Sequence, residues 1–303
     1  MVDYRKLKNE LENLQTLEDK SNFVEKFPHA ELPLNLSFYR VRYDDGFDKN
    51  DKTQFGYIQD ASKVKIGRYN IDQEQVLYTS TNPKTAFMEI ESHNNTSDSY
   101  YISVWRKMDE DKIMTALSYN PDDCKYKSNA DMYNKDIKRL LEEGKKKYGM
   151  GYKEFIKNIG ERMESDSTYE FSSLLASSLL KKYEALITMS AQSDGQELNV
   201  TFNKETVDKR LKLSLVLHGD GAEVKKLLMN VDEVGIVENE KIIWKKIVNA
   251  KVKRCNDPRL MTILGNTKKI PLVGLKVSSD KNRIICESEV YKCEYKLEDE
   301  NYI

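Results

Sequence analysis

The sequence is short of the residues that staple or ligate. Its 303 residues include four cysteines, Cys124, Cys255, Cys286 and Cys293, and no CxxC pair. Without that spacing a zinc ribbon or a CxxC redox motif is excluded. Cys286 and Cys293 are spaced to approach one another across a hairpin, yet free thiols are the expected state. The N-terminal MVDYRKLKNELENLQ has no apolar core to serve as a secretory signal, and disulfides belong to oxidising compartments. Histidine is scarcer still. His29, His93 and His218 are too scattered for a His-rich centre, and no metal is expected. Charge of one sign is missing as well, with 49 Lys+Arg against 50 Asp+Glu for a net −1. That balance argues against direct binding to nucleic acid or an acidic membrane, both of which need a basic excess. No run of about 18 apolar residues is present to span a bilayer, and the expected location is the cytoplasm.

What is present points to a folded chain. Hydrophobic residues make up 39% and charged residues 33%, too apolar for a disordered polymer. The length exceeds the ~100–200 residues usual for one domain, so one extended domain or two is expected. Leu7, Leu11, Leu14 and Leu17 fall on one helical face, which predicts a helical extension over residues 1–35. β-rich runs follow at Leu36–Tyr43, Gln75–Ser80, Ser99–Trp105, Ala185–Met189 and Leu198–Phe202, with helices after Asn82 and over Ser172–Tyr183. Such alternation predicts a mixed α/β (α+β) domain over residues 36–205. A polar Lys/Glu-rich tract at about 107–167 reads as one to three inserted surface helices. Residues 206–303 read as a β-rich C-terminal extension with one short helix, AEVKKLLMNV.

The chemistry concentrates in Gly67-Arg68-Tyr69-Asn70 and the following VLYTSTNPKTAFMEIESH. Asn82 is a good N-cap and Pro83 suits the first helical position. At 100° per residue Ala86, Ile90 and His93 share one face, with Glu89 at its edge. A carboxylate there is costly unless partnered or used. Helix geometry alone favours the plainer of these, a boundary Glu paired with a nearby cation. Tyr78 lies in the β-run Gln75–Ser80 just before this helix, and strand-to-helix junctions often bind ligands. Taken singly, Arg68 reads as a surface cation, Tyr78 as core and Ser190 as a turn residue.

In order along the chain, FYRVR at 38–42, GRYN, VLYTSTNPKTAFMEIESH and YEFSSLLASSLLKKYEALITMSAQSDGQELNVTF at 169–202 resemble the RES domain. The most specific part of the resemblance is the spacing Arg68, Tyr78, Glu89, His93, with Ser190 following a hydrophobic strand and Arg40 in the first strand motif. The resemblance implies an ADP-ribosyltransferase-like RES core acting on NAD+ as substrate, with no metal. It also implies a bacterial toxin of a toxin–antitoxin pair, partnered by an antitoxin with a helix-turn-helix DNA-binding domain. Hydrolysis, phosphorolysis or ADP-ribosyl transfer to a protein target are all compatible with it, as is a homo-oligomer.

On this reading Arg68, supported by Arg40, holds the pyrophosphate, for which a forked guanidinium is suited. Glu89 stabilises the oxocarbenium-like ribose. Tyr78 faces the nicotinamide and ribose, Ser190 binds substrate or orients Glu89, and His93 stands behind Glu89. The alternative is a non-catalytic nucleotide- or protein-binding module with a RES-like fold. A metal hydrolase built on Glu89 and His93 lacks further ligands at suitable spacing.

Overall fold

The structure, a computed structural model, describes residues 24–32, 36–91, 99–108, 112–118, 131–190, 197–220, 228–256, 269–271, 276–280, 282–288 and 291–299. In chain order the strands are β1 (His29–Glu31), β2 (Ser37–Tyr43), β3 (Val76–Ser80), β4 (Ser99–Lys107), β5 (Met114–Leu117), β6 (Ala185–Met189), β7 (Leu198–Asn203), β8 (Leu211–Asp220), β9 (Leu228–Asn230), β10 (Glu233–Glu238), β11 (Lys241–Cys255), β12 (Lys269–Pro271), β13 (Lys276–Asp280), β14 (Arg283–Glu287) and β15 (Tyr291–Asp299). The helices are α1 (Pro83–Glu91), α2 (Asp131–Tyr148), α3 (Tyr152–Ser165), α4 (Glu170–Lys182) and α5 (Lys204–Arg210). The fold is therefore mixed α/β. The expected N-terminal helix lies outside the described residues.

The chain divides into two compact units, one drawn from residues 1–34, 57–78 and 108–210 and the other from residues 35–56, 79–107 and 211–303. In the first, strands run in the order β1-β5-β6-β7. β5 and β6 are parallel, whereas β1 pairs with β5 and β6 with β7 antiparallel. Parallel neighbours need a long crossover, and the tract between β5 and β6 supplies it with α2, α3 and α4. The Lys/Glu-rich tract expected only as surface helices thus contains a strand, Met114–Leu117, and most of a crossover. Its helices are amphipathic for that reason: α3 buries Tyr152, Phe155, Ile156, Ile159 and Met163 at helical spacing. β6 and β7 are buried almost throughout, as strands covered on both faces are.

Asp166 organises the turn from α3 into α4. Its Oδ1 accepts from the Thr168 and Tyr169 N–H groups, and its Oδ2 from those of Phe171 and Ser172 at 3.1 and 2.9 Å. The hydroxyls of Thr168 and Ser172 also donate to it. This carboxylate caps α4 in place of Tyr169, which stands at the N-cap with φ 62° and no capping side chain. Burial raises the Asp166 pKa, but the hydrogen bonds from Ser172 and Thr168 outweigh it and hold the group at about 2.

The second unit has the strand order β2-β4-β8-β10-β11-β15-β14-β13, every neighbouring pair antiparallel. Residues from Leu211 onward, expected as a β-rich extension, are woven into this unit by the β4–β8 pairing. Its core gathers Tyr39, Val41, Phe87, Ile102, Val104, Leu215, Leu217, Ile247, Tyr291 and Tyr295. α1 packs against β2, and it starts where the sequence places it: Asn82 Oδ1 accepts from the Lys84 N–H at 2.9 Å. Cys286 and Cys293 are directly opposite across β14 and β15, and Cys255, Cys286 and Cys293 are free thiols. One correction concerns the short helix expected over AEVKKLLMNV. Leu228–Asn230 is instead strand β9, paired with β12, because cross-strand hydrogen bonding overrides the weak local helical pattern. Residues 221–227 lie outside the described set.

Candidate functional site

GRYN folds as a closed four-residue turn. The Gly67 N–H donates to the Asn70 carbonyl at 3.0 Å, and Asn70 Nδ2 ties the turn to the Lys65 and Ile71 carbonyls. A Cβ at its first position would lie 2.8 Å from Asn70 Oδ1, so a larger residue than glycine there would have to displace the amide that ties the turn. Arg68 and Tyr69 are therefore fixed at the corners of the turn, with their side chains leaving it at set angles.

Arg68 is half-buried. Its Nη1 donates to the Met163 carbonyl at 2.6 Å and to the Glu164 carbonyl. A cation at a helix C-terminus satisfies carbonyls left over from the helix and meets the negative end of its dipole. The guanidinium also lies 5.4 Å from the Tyr169 ring centroid. One arm of the fork is thus committed to α3, and among the described residues no hydrogen bond engages Nη2 or Nε.

Tyr69 is buried and stacks on Tyr78, with ring centroids 5.4 Å apart and planes at 16°. Asn199 Nδ2, on β7, donates to Tyr78 Oη. The phenol is the acceptor in that bond, so its own proton is directed to another acceptor. Asn199 pairs with Thr188 across β6 and β7. Ser190 stands two residues beyond Thr188 and is completely buried, and its N–H donates to the Glu197 carbonyl at 2.9 Å. Because side chains alternate along a strand, Thr188 and Asn199 belong to one face. Thr188 Oγ1 is buried there without a hydrogen-bond partner among the described residues, as is Thr201 Oγ1 on β7. A buried hydroxyl left unsatisfied costs about 1–3 kcal/mol.

Three of the sequence-predicted residues, Arg68, Tyr78 and Ser190, therefore belong to one compact unit; Tyr69 joins the Arg68 turn to Tyr78, and Asn199 joins Tyr78 to β7. Neither linker was assigned a role from sequence. Asn199 was detectable as an amide near the start of the strand LNVTFN, and Tyr69 as the aromatic of the GRYN turn.

Arg40 and Glu89 belong to the other unit. Arg40, on β2, donates through Nη1 to the Gly56 carbonyl. Burial, with Arg42 alongside, pushes its pKa down to about 10. Arg42 donates to the Gln54 carbonyl and Oε1 and pairs with Asp45, so both arginines fasten the 44–56 loop to β2. Glu89 is half-buried on α1; of the face predicted from Ala86, Ile90 and His93, Ala86 is buried and Ile90 half-buried, and Thr85 and Phe87 are buried as well. His93 lies outside the described residues.

Among the described residues no group of three or more His, Cys, Asp and Glu is placed to hold a metal ion, and no helix is long and apolar enough to cross a membrane. No family model matches the chain, and no curated protein matches it in sequence.

Proposed function

We propose that the chain is an NAD+-consuming enzyme that cleaves the nicotinamide–ribose N-glycosidic bond, by hydrolysis, phosphorolysis or ADP-ribosyl transfer. Its biological setting in this reading is a bacterial toxin held by a helix-turn-helix antitoxin. The observation that carries the reading is the linked set Arg68, Tyr69, Tyr78 and Asn199 beside the buried hydroxyls of Thr188 and Ser190. It combines a tethered guanidinium, a flat aromatic stack and, at Thr188, a buried hydroxyl with no hydrogen-bond partner among the described residues, which are the recognition chemistry of a dinucleotide.

Arg68 uses Nη1 for α3 and offers its remaining donors to the pyrophosphate. Tyr78 stacks and hydrogen-bonds at the nicotinamide ribose, and Ser190 and Thr188 bind its polar substituents. On the sequence spacing, Glu89 supplies the carboxylate that stabilises positive charge developing on the ribose as nicotinamide leaves. The leaving group is already cationic, so no metal is required for its departure.

Purified protein incubated with NAD+ releases nicotinamide on this reading, and Glu89→Ala lowers the rate by about 100-fold or more. Equal release by wild type and Glu89→Ala removes the assigned mechanism. Arg68 Nη1, already bonded to α3, favours a second reading, a nucleotide-binding module without turnover. That reading is the outcome if NAD+ binds saturably and no nicotinamide appears with or without phosphate.

A further inference from the structure

A separate constellation lies within the second unit, on one face of the β4–β8–β10 ladder. Register places Tyr101 opposite His218, and His218 opposite Glu233. Ser99, two residues before Tyr101, projects to the same face. The Ser99 hydroxyl lies 2.8 Å from His218 Nε2, and His218 Nδ1 lies 2.9 Å from Glu233 Oε1. Lys49 Nζ sits 2.7 and 2.9 Å from the two Glu233 oxygens. The imidazole stacks on Tyr101 with centroids 4.3 Å apart, and Asp44 Oδ2 is 3.8 Å from Nε2.

A hydroxyl within reach of an imidazole nitrogen, with a carboxylate at the other nitrogen, is the arrangement that activates serine nucleophiles. Glu233 Oε1 approaches Nδ1 at 2.9 Å but outside hydrogen-bonding angle, so it is the charge of the carboxylate, not a hydrogen bond, that favours the proton on Nδ1 and leaves the Nε2 lone pair facing Ser99. Burial works to raise the Glu233 pKa, but His218 and Lys49 outweigh it and keep the carboxylate charged. The His218 and Glu233 side chains are 20% and 10% exposed and Ser99 is half-buried. The group is thus shielded from bulk water without being fully buried. A purely structural ladder needs the ion pair and the stack, but has no need of a serine hydroxyl on the base nitrogen.

We propose that Ser99 is a nucleophile with His218 as its general base, forming a second reactive site for small acyl esters, independent of NAD+ chemistry. The Ser99 oxygen adds to the ester carbonyl carbon while its proton passes to Nε2. The carbonyl electron pair moves to oxygen and returns as the carbon–alkoxide bond breaks, and the alcohol leaves with the proton from Nε2. Water, deprotonated by the same nitrogen, then cleaves the acyl-serine to give acid and free enzyme.

The test is labelling of the full chain with a fluorophosphonate probe, in which a P–O bond forms at Ser99 and fluoride leaves, read by intact mass and peptide mapping. One label at Ser99 is expected, absent in Ser99→Ala and formed about 100-fold more slowly in His218→Gln. Circular dichroism of both variants confirms that they are folded. No labelling of the wild type, labelling that maps elsewhere, or an equal rate in folded His218→Gln overturns the proposal.

Discussion

Replacing Asp166 with alanine deletes an acceptor shared by four backbone N–H groups and two hydroxyls at the start of α4. Loss of a capping side chain costs about 1 kcal/mol, up to about 2. Ser172 is completely buried, so its N–H and hydroxyl lose an acceptor where water cannot replace it, adding about 1–3 kcal/mol. The expected destabilisation is about 2–4 kcal/mol at pH 7. Asp166→Asn, which keeps one carbonyl oxygen, should cost roughly half of that.

The pH dependence has a definite sign. The folded pKa of about 2 lies below the unfolded value, so the ionised carboxylate stabilises the fold at neutral pH. That contribution is complete above about pH 4–5 and fades as pH falls toward 2. Urea unfolding followed by circular dichroism, for wild type and both variants between pH 7 and pH 3, measures it. The gap between wild type and Asp166→Ala should be flat from pH 7 to 5 and narrow below 4. A gap under about 0.5 kcal/mol at pH 7, or one that does not change with acidification, refutes the capping account.

Other expectations follow from the same geometry. Arg68→Ala should couple to Asp166→Ala by at least about 0.5 kcal/mol in a double-mutant cycle, because both side chains secure the α3–α4 turn; strict additivity argues against a shared turn. Burial pushes the Cys293 thiol up to about 11 and raises the Cys286 thiol well above its ordinary value. Both should therefore resist a thiol-specific reagent at pH 8 until urea unfolds the chain, and fast labelling of the folded protein contradicts this. Phe87→Ala empties a fully buried position against Tyr100 and should cost about 3–5 kcal/mol in urea midpoint experiments. A Cβ on Gly219 would collide with the Asn230 carbonyl, so Gly219→Ala should lower the melting temperature sharply, and an unchanged midpoint would remove that close approach.

Local signals in the sequence were legible where local physics decides the outcome. Asn82 and Pro83 mark the start of α1, the apolar spacing of Phe155, Ile156, Ile159 and Met163 marks α3, and the apolar runs at Ala185 and Leu198 mark β6 and β7. What eluded the sequence depends on partners far along the chain. MTAL at 114–117 is too short to announce itself as a strand and becomes one by pairing with β6. His218 looks isolated in sequence. Only the register of β4, β8 and β10 places it between Ser99 and Glu233, and a one-residue slip would turn it to the other face. For the same reason the GRYN motif was readable, but the attachment of Arg68 to α3 was not, since 95 residues separate it from Met163.

The parallel pairing of β5 with β6 also sets a schedule for synthesis. Leu117 leaves the ribosome with its antiparallel neighbour β1 already made, but Ala185 follows about 70 residues later. At about 5–20 residues per second that is a wait of roughly 3–14 s, during which one edge of β5 is unpaired. Ala116 and Leu117, wholly buried in the finished fold, depend through that interval on the emerging helices or on a chaperone for cover. Slow codons between positions 118 and 184 would lengthen the exposure, so the soluble yield of this chain should respond to translation speed in that tract more than to speed in the antiparallel strands after Leu211.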